Sequence, residues 1–219
     1  MILLHQWALL RAKRSWAEWM LRSSSSDPNP SIPYFYLSHT HQHPRGPHLI
    51  RWTLPRGGYI KINFDGTKSS TGTAAGFVIR NWQGGFISAG SRFLERASIL
   101  VAEATAMRDG ISTAIQAGFR RLEVEGDNQI VIKAVQKQIQ VPWQIAPILE
   151  DIWNMTTCCE SILFKHVYGE GNMAADWMAK YGCVVRSHSL SLFFSPPCRQ
   201  FLYLLVDDNL GRTLARRAP

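Results

Sequence analysis

The chain has 219 residues, 46% hydrophobic and 18% charged, which excludes a disordered polymer and suits one well-buried domain with extensions. No apolar run reaches the ~20 residues of a membrane-spanning helix, so a soluble chain with no membrane partner is expected. The net charge of +8 sits in the flanks, because residues 1–58 carry 7 basic and 2 acidic groups, 59–182 carry 12 of each, and 183–219 carry 5 and 2. The central segment is neutral, so a pI near 9.6 describes basic arms on a neutral core and is only a weak pointer to nucleic acid. Cys158, Cys159, Cys183 and Cys198 form no C-x-x-C pair and no secreted disulfide framework, which argues against a zinc knuckle and for a reducing compartment.

Residues 1–26 read as a basic amphipathic helix ending in a serine tract. Arg11, Lys13, Arg14 and Arg22 oppose only Glu18, a composition compatible with organelle targeting; the cellular location is otherwise open. Residues 23–58 are rich in Pro, Ser and Gly and read as a linker with little fixed structure, so 1–58 is expected to be mostly disordered. His39, His41, His43 and His48 lie within it without partner acids or cysteines, which makes a metal role there a minor reading.

Residues 59–182 carry strong punctuation. YIKINFDG alternates Ile60, Ile62 and Phe64 against Lys61, Asn63 and Asp65, the period of a strand. TAAGFVIR and GFISAGSRFL follow as two strands around a turn at 81–84, and SILVAEATAMRDGISTAIQAG is a helix stopped by Gly118. Next come a strand at FRRLEVEGD, a helix at NQIVIKAVQKQ and a helix framed by Pro142 and Pro147. A fifth strand at SILFKHVYG and a last helix at NMAADWMAKYG complete the segment. The order βββαβααβα predicts an α/β domain with a mixed five-stranded sheet, three antiparallel strands followed by parallel additions, flanked by helices. Residues 183–219 form an extension whose LFF and FLYLLV runs are too apolar to stay in water.

Four acids stand at the ends of separate elements: Asp65, Glu103, Asp127 and Asp176. Converging carboxylates are hard oxygen donors able to hold two divalent ions, which suits phosphodiester hydrolysis. Each also has a plainer explanation. Asp65-Gly66 is a turn signal, Asp127 is placed to cap a helix, and Asp176 suits the first turn of one. Glu103 is the clearest, because it shares the apolar helical stripe of Leu100 and Met107 with no basic partner three or four residues away.

The segments KINFDGT, AEATAMRDGI, RRLEVEGDNQIVI and FKHVYGEGNMAADWMAK together resemble the ribonuclease H domain, closest to the retrotransposon-derived, RNase H-like domains common in plants. The resemblance implies the ribonuclease H fold, a monomer, and endonucleolytic cleavage of the RNA strand of RNA–DNA hybrids with two Mg²⁺ (or Mn²⁺) ions. Asp65, Glu103, Asp127 and Asp176 would be the metal-binding catalytic acids. Gly66 and Thr67 would approach the substrate backbone, Gln129 the minor groove, and Asn172 would sit beside Asp176 in the substrate site. Arg120, Arg121, Lys133 and Lys137 would be available to phosphates. The chain departs from the pattern at VYGEGN, where Gly169 replaces a basic residue, and it lacks a basic, Trp-rich insertion near QKQIQVPWQ. His166 is expected to be a packed strand residue. Two rivals remain: a domesticated domain that binds nucleic acid without cleaving it, and an integrase-like nuclease with DNA products.

Overall fold

A computed structural model of the chain describes residues 48–216. The helix expected over 1–26 and the histidines at 39, 41 and 43 lie outside the described residues, as does the side chain of His48. Eight strands are described: β1 (His48–Ile50), β2 (Ile60–Ser69), β3 (Gly72–Arg80), β4 (Phe86–Glu95), β5 (Arg121–Gly126), β6 (Ser161–His166), β7 (Ser191–Phe193) and β8 (Leu214–Arg216). The helices are α1 (Ile99–Gln116), α2 (Gln129–Val135), α3 (Ala146–Thr156), α4 (Met173–Val185) and α5 (Arg199–Asn209), with a 3₁₀ turn at Gly169–Gly171. None of the described helices is long and apolar enough to cross a membrane.

The sheet runs β6-β5-β2-β3-β4-β7. β2, β3, β4 and β7 pair antiparallel, while β5 lies parallel to both β2 and β6. The expected mixed architecture holds, but the sheet has six strands, not five. The sixth, β7, comes from the C-terminal extension, where Ser191–Phe193 pairs with Ser91–Ala89 of β4. A three-residue strand just before Pro196 and Pro197 is too short to show a period.

Ile60, Ile62 and Phe64 of β2 pack with Met107 and Ile111 of α1 and with Leu149 and Ile152 of α3 in the main core. The opposite face carries α4 and α5, where Val78, Phe86, Met178, Phe201 and Leu205 form a second core. The apolar tail therefore docks, with Phe201 fully buried against Phe86 at a ring separation of 6.0 Å. Residues 51–58 also differ from the expected loose linker, because Trp52 is 4% exposed and its indole Nε1 donates to Asn63 Oδ1 at 2.9 Å.

Local signals explain the helix boundaries. Ser98 Oγ accepts from Val101 N to cap α1, and Gly118 takes a left-handed φ of 89° just past its end. Pro147 sits in the first turn of α3, where its missing N–H costs no helical bond.

Candidate active site

The parallel strands β2 and β5 deliver their carboxyl ends side by side, and in an open α/β sheet that edge is where ligands bind. Asp65 lies on β2 opposite Gly76, and Asp127 follows the last residue of β5. Glu103 reaches them from α1. Carboxylate oxygens of Asp65, Glu103 and Asp127 lie within 4.8 Å of one another. Asp65 and Glu103 are 6% and 4% exposed, and Asp127 is half-buried.

Such proximity is costly without a counter-ion. Burial pushes the Asp65 carboxyl up to about 8, helped by the charges of Asp127 and Asp176. Burial likewise pushes Glu103 up to about 10, helped by Asp65 and Asp127, while the Asn128 amide and the Gly66 backbone pull the other way. Asp127 is raised as well, chiefly by burial, while hydrogen bonds from its own backbone and with Asp65 pull the other way. Glu103 Oε2 is buried with no hydrogen-bond partner. An orphaned buried carboxylate oxygen in an all-oxygen cluster fits a hard divalent cation.

The fourth acid is placed differently. Asp176, in the first turn of α4, is outside the close trio, and its Oδ2 pairs with Lys180 Nζ at 2.8 Å. Its side chain is 31% exposed, so it stands at the rim, near enough to Asp65 to raise that carboxyl.

The residues around the trio explain its geometry. Asn128, not Asp127, caps α2, its Oδ1 accepting from Ile130 N and Val131 N at 3.1 and 3.2 Å. Asp127 is thereby released from the capping role that its position suggests. Asn172 is 1% exposed and its Nδ2 donates to Phe64 O at 2.8 Å, tying the start of α4 to the residue before Asp65. Its backbone oxygen accepts from Asp176 N at 3.1 Å. Gly66 is explained by a neighbouring helix: a Cβ there would lie 2.7 Å from Glu103 N. Thr67 is half-buried beyond it, and Gln129 is exposed in the first turn of α2.

Beneath the trio, on the Asp65 face of the sheet, lies a layer of charges that sequence reasoning missed. Lys61, fully buried, contacts Glu125 Oε1 at 2.7 Å and Glu123 Oε1 at 3.1 Å, and donates to Thr53 O. Arg80, 1% exposed, donates to Asn63 Oδ1 at 2.8 Å and pairs with Asp208 Oδ2 at 2.6 Å. Its guanidinium lies 3.8 Å from the Trp52 ring centroid. Lys165 closes the set on Glu123 at 2.8 Å. Three cations and three anions balance, as buried charges must.

Other expected contacts fall elsewhere. Arg120 is committed to the carbonyls of Ile115 and Phe119, Arg121 lies over Tyr59, and Lys137 lies over Trp153. Arg121 opens β5, so both arginines lie at the end of that strand away from the acids. His166 is exposed, not packed, with Nε2 3.0 Å from Asp127 O. The turn at Gly169 abuts the trio, since a Cβ there would lie 3.1 Å from Asp127 Oδ2.

Residues 63–182 match a family model described as reverse transcriptase-like. An Arabidopsis thaliana protein, provisionally named a ribonuclease H protein, is 29% identical over 181 residues, 80% of this chain and 28% of that protein. Ribonuclease HI of Halobacterium salinarum is 33% identical over 90 residues, 40% of this chain and 43% of the enzyme. The chain thus spans less than half the length of either curated relative. The crystal structure of RNase H1 from Halobacterium salinarum superposes with a TM-score of 0.55 at 23% identity, covering 58% of this chain and 98% of that one. An RNase H1 isolated from compost, crystallised with an RNA/DNA hybrid, gives 0.53 at 18% identity, with 57% and 97% covered. The fold is the ribonuclease H fold.

Proposed function

Because this chain belongs to the reverse transcriptase-like family, whose model matches more than half of it, we propose that it is a metal-dependent endonuclease cleaving the RNA strand of RNA–DNA hybrids. The observation that carries this reading is the buried trio Asp65, Glu103 and Asp127, with oxygens within 4.8 Å and one of them orphaned. Asp65 and Asp127 would be the central ligands of two Mg²⁺ or Mn²⁺ ions, Glu103 would hold one from the helix side, and Asp176 would complete the second from the rim. Divalent ions at this position supply charge neutralisation, activation of water and stabilisation of the leaving oxygen.

The chain's own residues do the positioning. Asn172 and Gly66 set where β2, α1 and α4 meet, and Asn128 keeps Asp127 free of the helix end. Thr67 and Gln129 flank the acids with short polar groups. An A-form-like duplex offers 2′-hydroxyls in a wide, shallow minor groove that such groups can read.

The test is a gel assay with the purified full chain and a labelled RNA–DNA hybrid, in Mg²⁺ and in Mn²⁺, beside RNA duplex, DNA duplex and single strands. Cleavage restricted to the hybrid's RNA supports the proposal. DNA products would identify an integrase-like nuclease, and hybrid binding without products would identify a domain that has given up cleavage.

A further inference from the structure

Among the described residues, three other than glycine have a positive φ: Glu95 at 51°, Lys137 at 58° and Arg186 at 55°. L-residues avoid this region because Cβ crowds the following carbonyl, so each calls for a reason. Glu95 sits at an irregularity in the β3–β4 register, opposite Thr73. Lys137 has its ammonium 4.7 Å from the Trp153 ring centroid. Arg186 has no such account.

Arg186 closes α4 in the left-handed conformation, its N–H donating to Gly182 O at 2.9 Å, and glycine is the usual residue there. Its side chain is exposed and makes no hydrogen bond or ion pair among the described residues. The helix dipole would favour a cation equally well one turn earlier, at an unstrained position. The side chain is therefore uncommitted within the described residues.

Arg186 and Lys180 line a groove with Thr67, Ser69 and Thr71 from the β2–β3 hairpin. The groove leads away from the acids on two parallel tracks. Thr67 lies two residues past Asp65, about 7 Å along β2, and Arg186 ten residues past Asp176, about 15 Å along α4. Glycines hold the tracks together, because a Cβ at Gly76 would strike the α4 backbone at Ala179 and one at Gly182 would meet Ala74. A channel with the Thr67 hydroxyl on one wall, the Ser69 and Thr71 hydroxyls bonded to each other at 2.8 Å beyond it, and an exposed guanidinium at its far end matches the oxygens of a phosphodiester backbone.

We propose that Arg186 contacts a backbone phosphate of the hybrid, a few nucleotides from the bond to be cut, in the groove between the β2–β3 hairpin and α4. The inference rests on the proposed substrate class and adds a subsite to it. Arg186→Gly removes the guanidinium and the backbone strain together, so binding and stability should move in opposite directions.

The experiment measures hybrid binding by fluorescence anisotropy in EDTA, from low to moderate salt, for the full chain, Arg186→Gly and Arg186→Lys, with melting temperatures and Mg²⁺-supported cleavage recorded on the same preparations. Arg186→Gly should keep or raise the melting temperature, weaken binding several-fold at low salt, and flatten the log K against log salt slope by about one. Arg186→Lys should retain the slope. An unchanged slope in Arg186→Gly overturns the proposal, as does a lowered melting temperature without a binding change or a wild type that does not bind at low salt. Slope loss in a chain that cleaves nothing upholds the subsite and removes the enzyme reading; cleavage with an unchanged slope does the reverse.

Discussion

Gly66 lies directly beneath Glu103: a Cβ on the first would stand 2.7 Å from the backbone nitrogen of the second. The absent side chain on β2 thus sets how deeply α1 sits, and with it the reach of Glu103 toward Asp65. Gly66→Ala should cost about 1–3 kcal/mol of stability, as over-packing does, and should weaken Mg²⁺ binding by moving Glu103. Denaturant unfolding and Mg²⁺ titration followed by tryptophan fluorescence would check both.

Asp65→Asn should abolish cleavage and leave the metal-free fold at least as stable as the wild type, because it removes one of three crowded carboxylates. Chemical denaturation in EDTA and the hybrid assay read the two effects separately. A fully active variant would remove Asp65 from the reaction.

Without metal, the raised carboxyls link stability to pH. Asp65 at about 8 and Glu103 at about 10 bind protons more tightly in the folded state than at their ordinary values near 4. Folded protein therefore holds more protons across that interval, and this contribution to stability is full below pH ~4 and lost as pH rises through 8 and beyond. Bound cations reverse the balance by favouring the ionised form. Mg²⁺ should accordingly raise the melting temperature more at pH 8.5 than at pH 6.5, and Glu103→Gln should reduce that difference.

Arg80 and Asp208 form a buried pair contributed by the central sheet and the C-terminal helix. Asp208→Ala leaves a guanidinium buried without its anion and should cost about 3–5 kcal/mol. A fragment limited to residues 59–182 loses Asp208, Trp52 and Phe201 at once. It should fail to give a cooperative melt where a fragment of 48–216 gives one, which calorimetry would show.

The acids were legible in the sequence because each falls in an element with a clear period or breaker, although only Asp127 stands at an element end; Asp65 lies mid-strand in β2, and Glu103 and Asp176 lie inside α1 and α4. Glu103 stood out further, as a charge on an apolar helical stripe without a partner. Neighbours decided what the acids do, and those neighbours are less legible. Whether Asp127 or Asn128 caps α2 depends on one residue of phase, which sequence periodicity does not resolve. The polar half of the β2 alternation, Lys61 and Asn63, is ordinarily solvent-facing, yet both residues are fully buried. Their cover comes from Trp52 and from α5, the latter more than 100 residues away, and no local pattern announces it. The sixth strand was hidden for the same reason: its pairing with β4 is non-local and only three residues long.

The short pair β1–β8 joins residues 48–50 to 214–216 and lies against the Gly169–Gly171 turn, which itself abuts Asp127. The described chain therefore closes almost into a ring, with both ends leaving from adjoining points beside the acids, about 5 Å apart. A peptide bridge between them would give a circular permutant, and the exposed hairpin tip at Ser70–Thr71 offers a place for new termini.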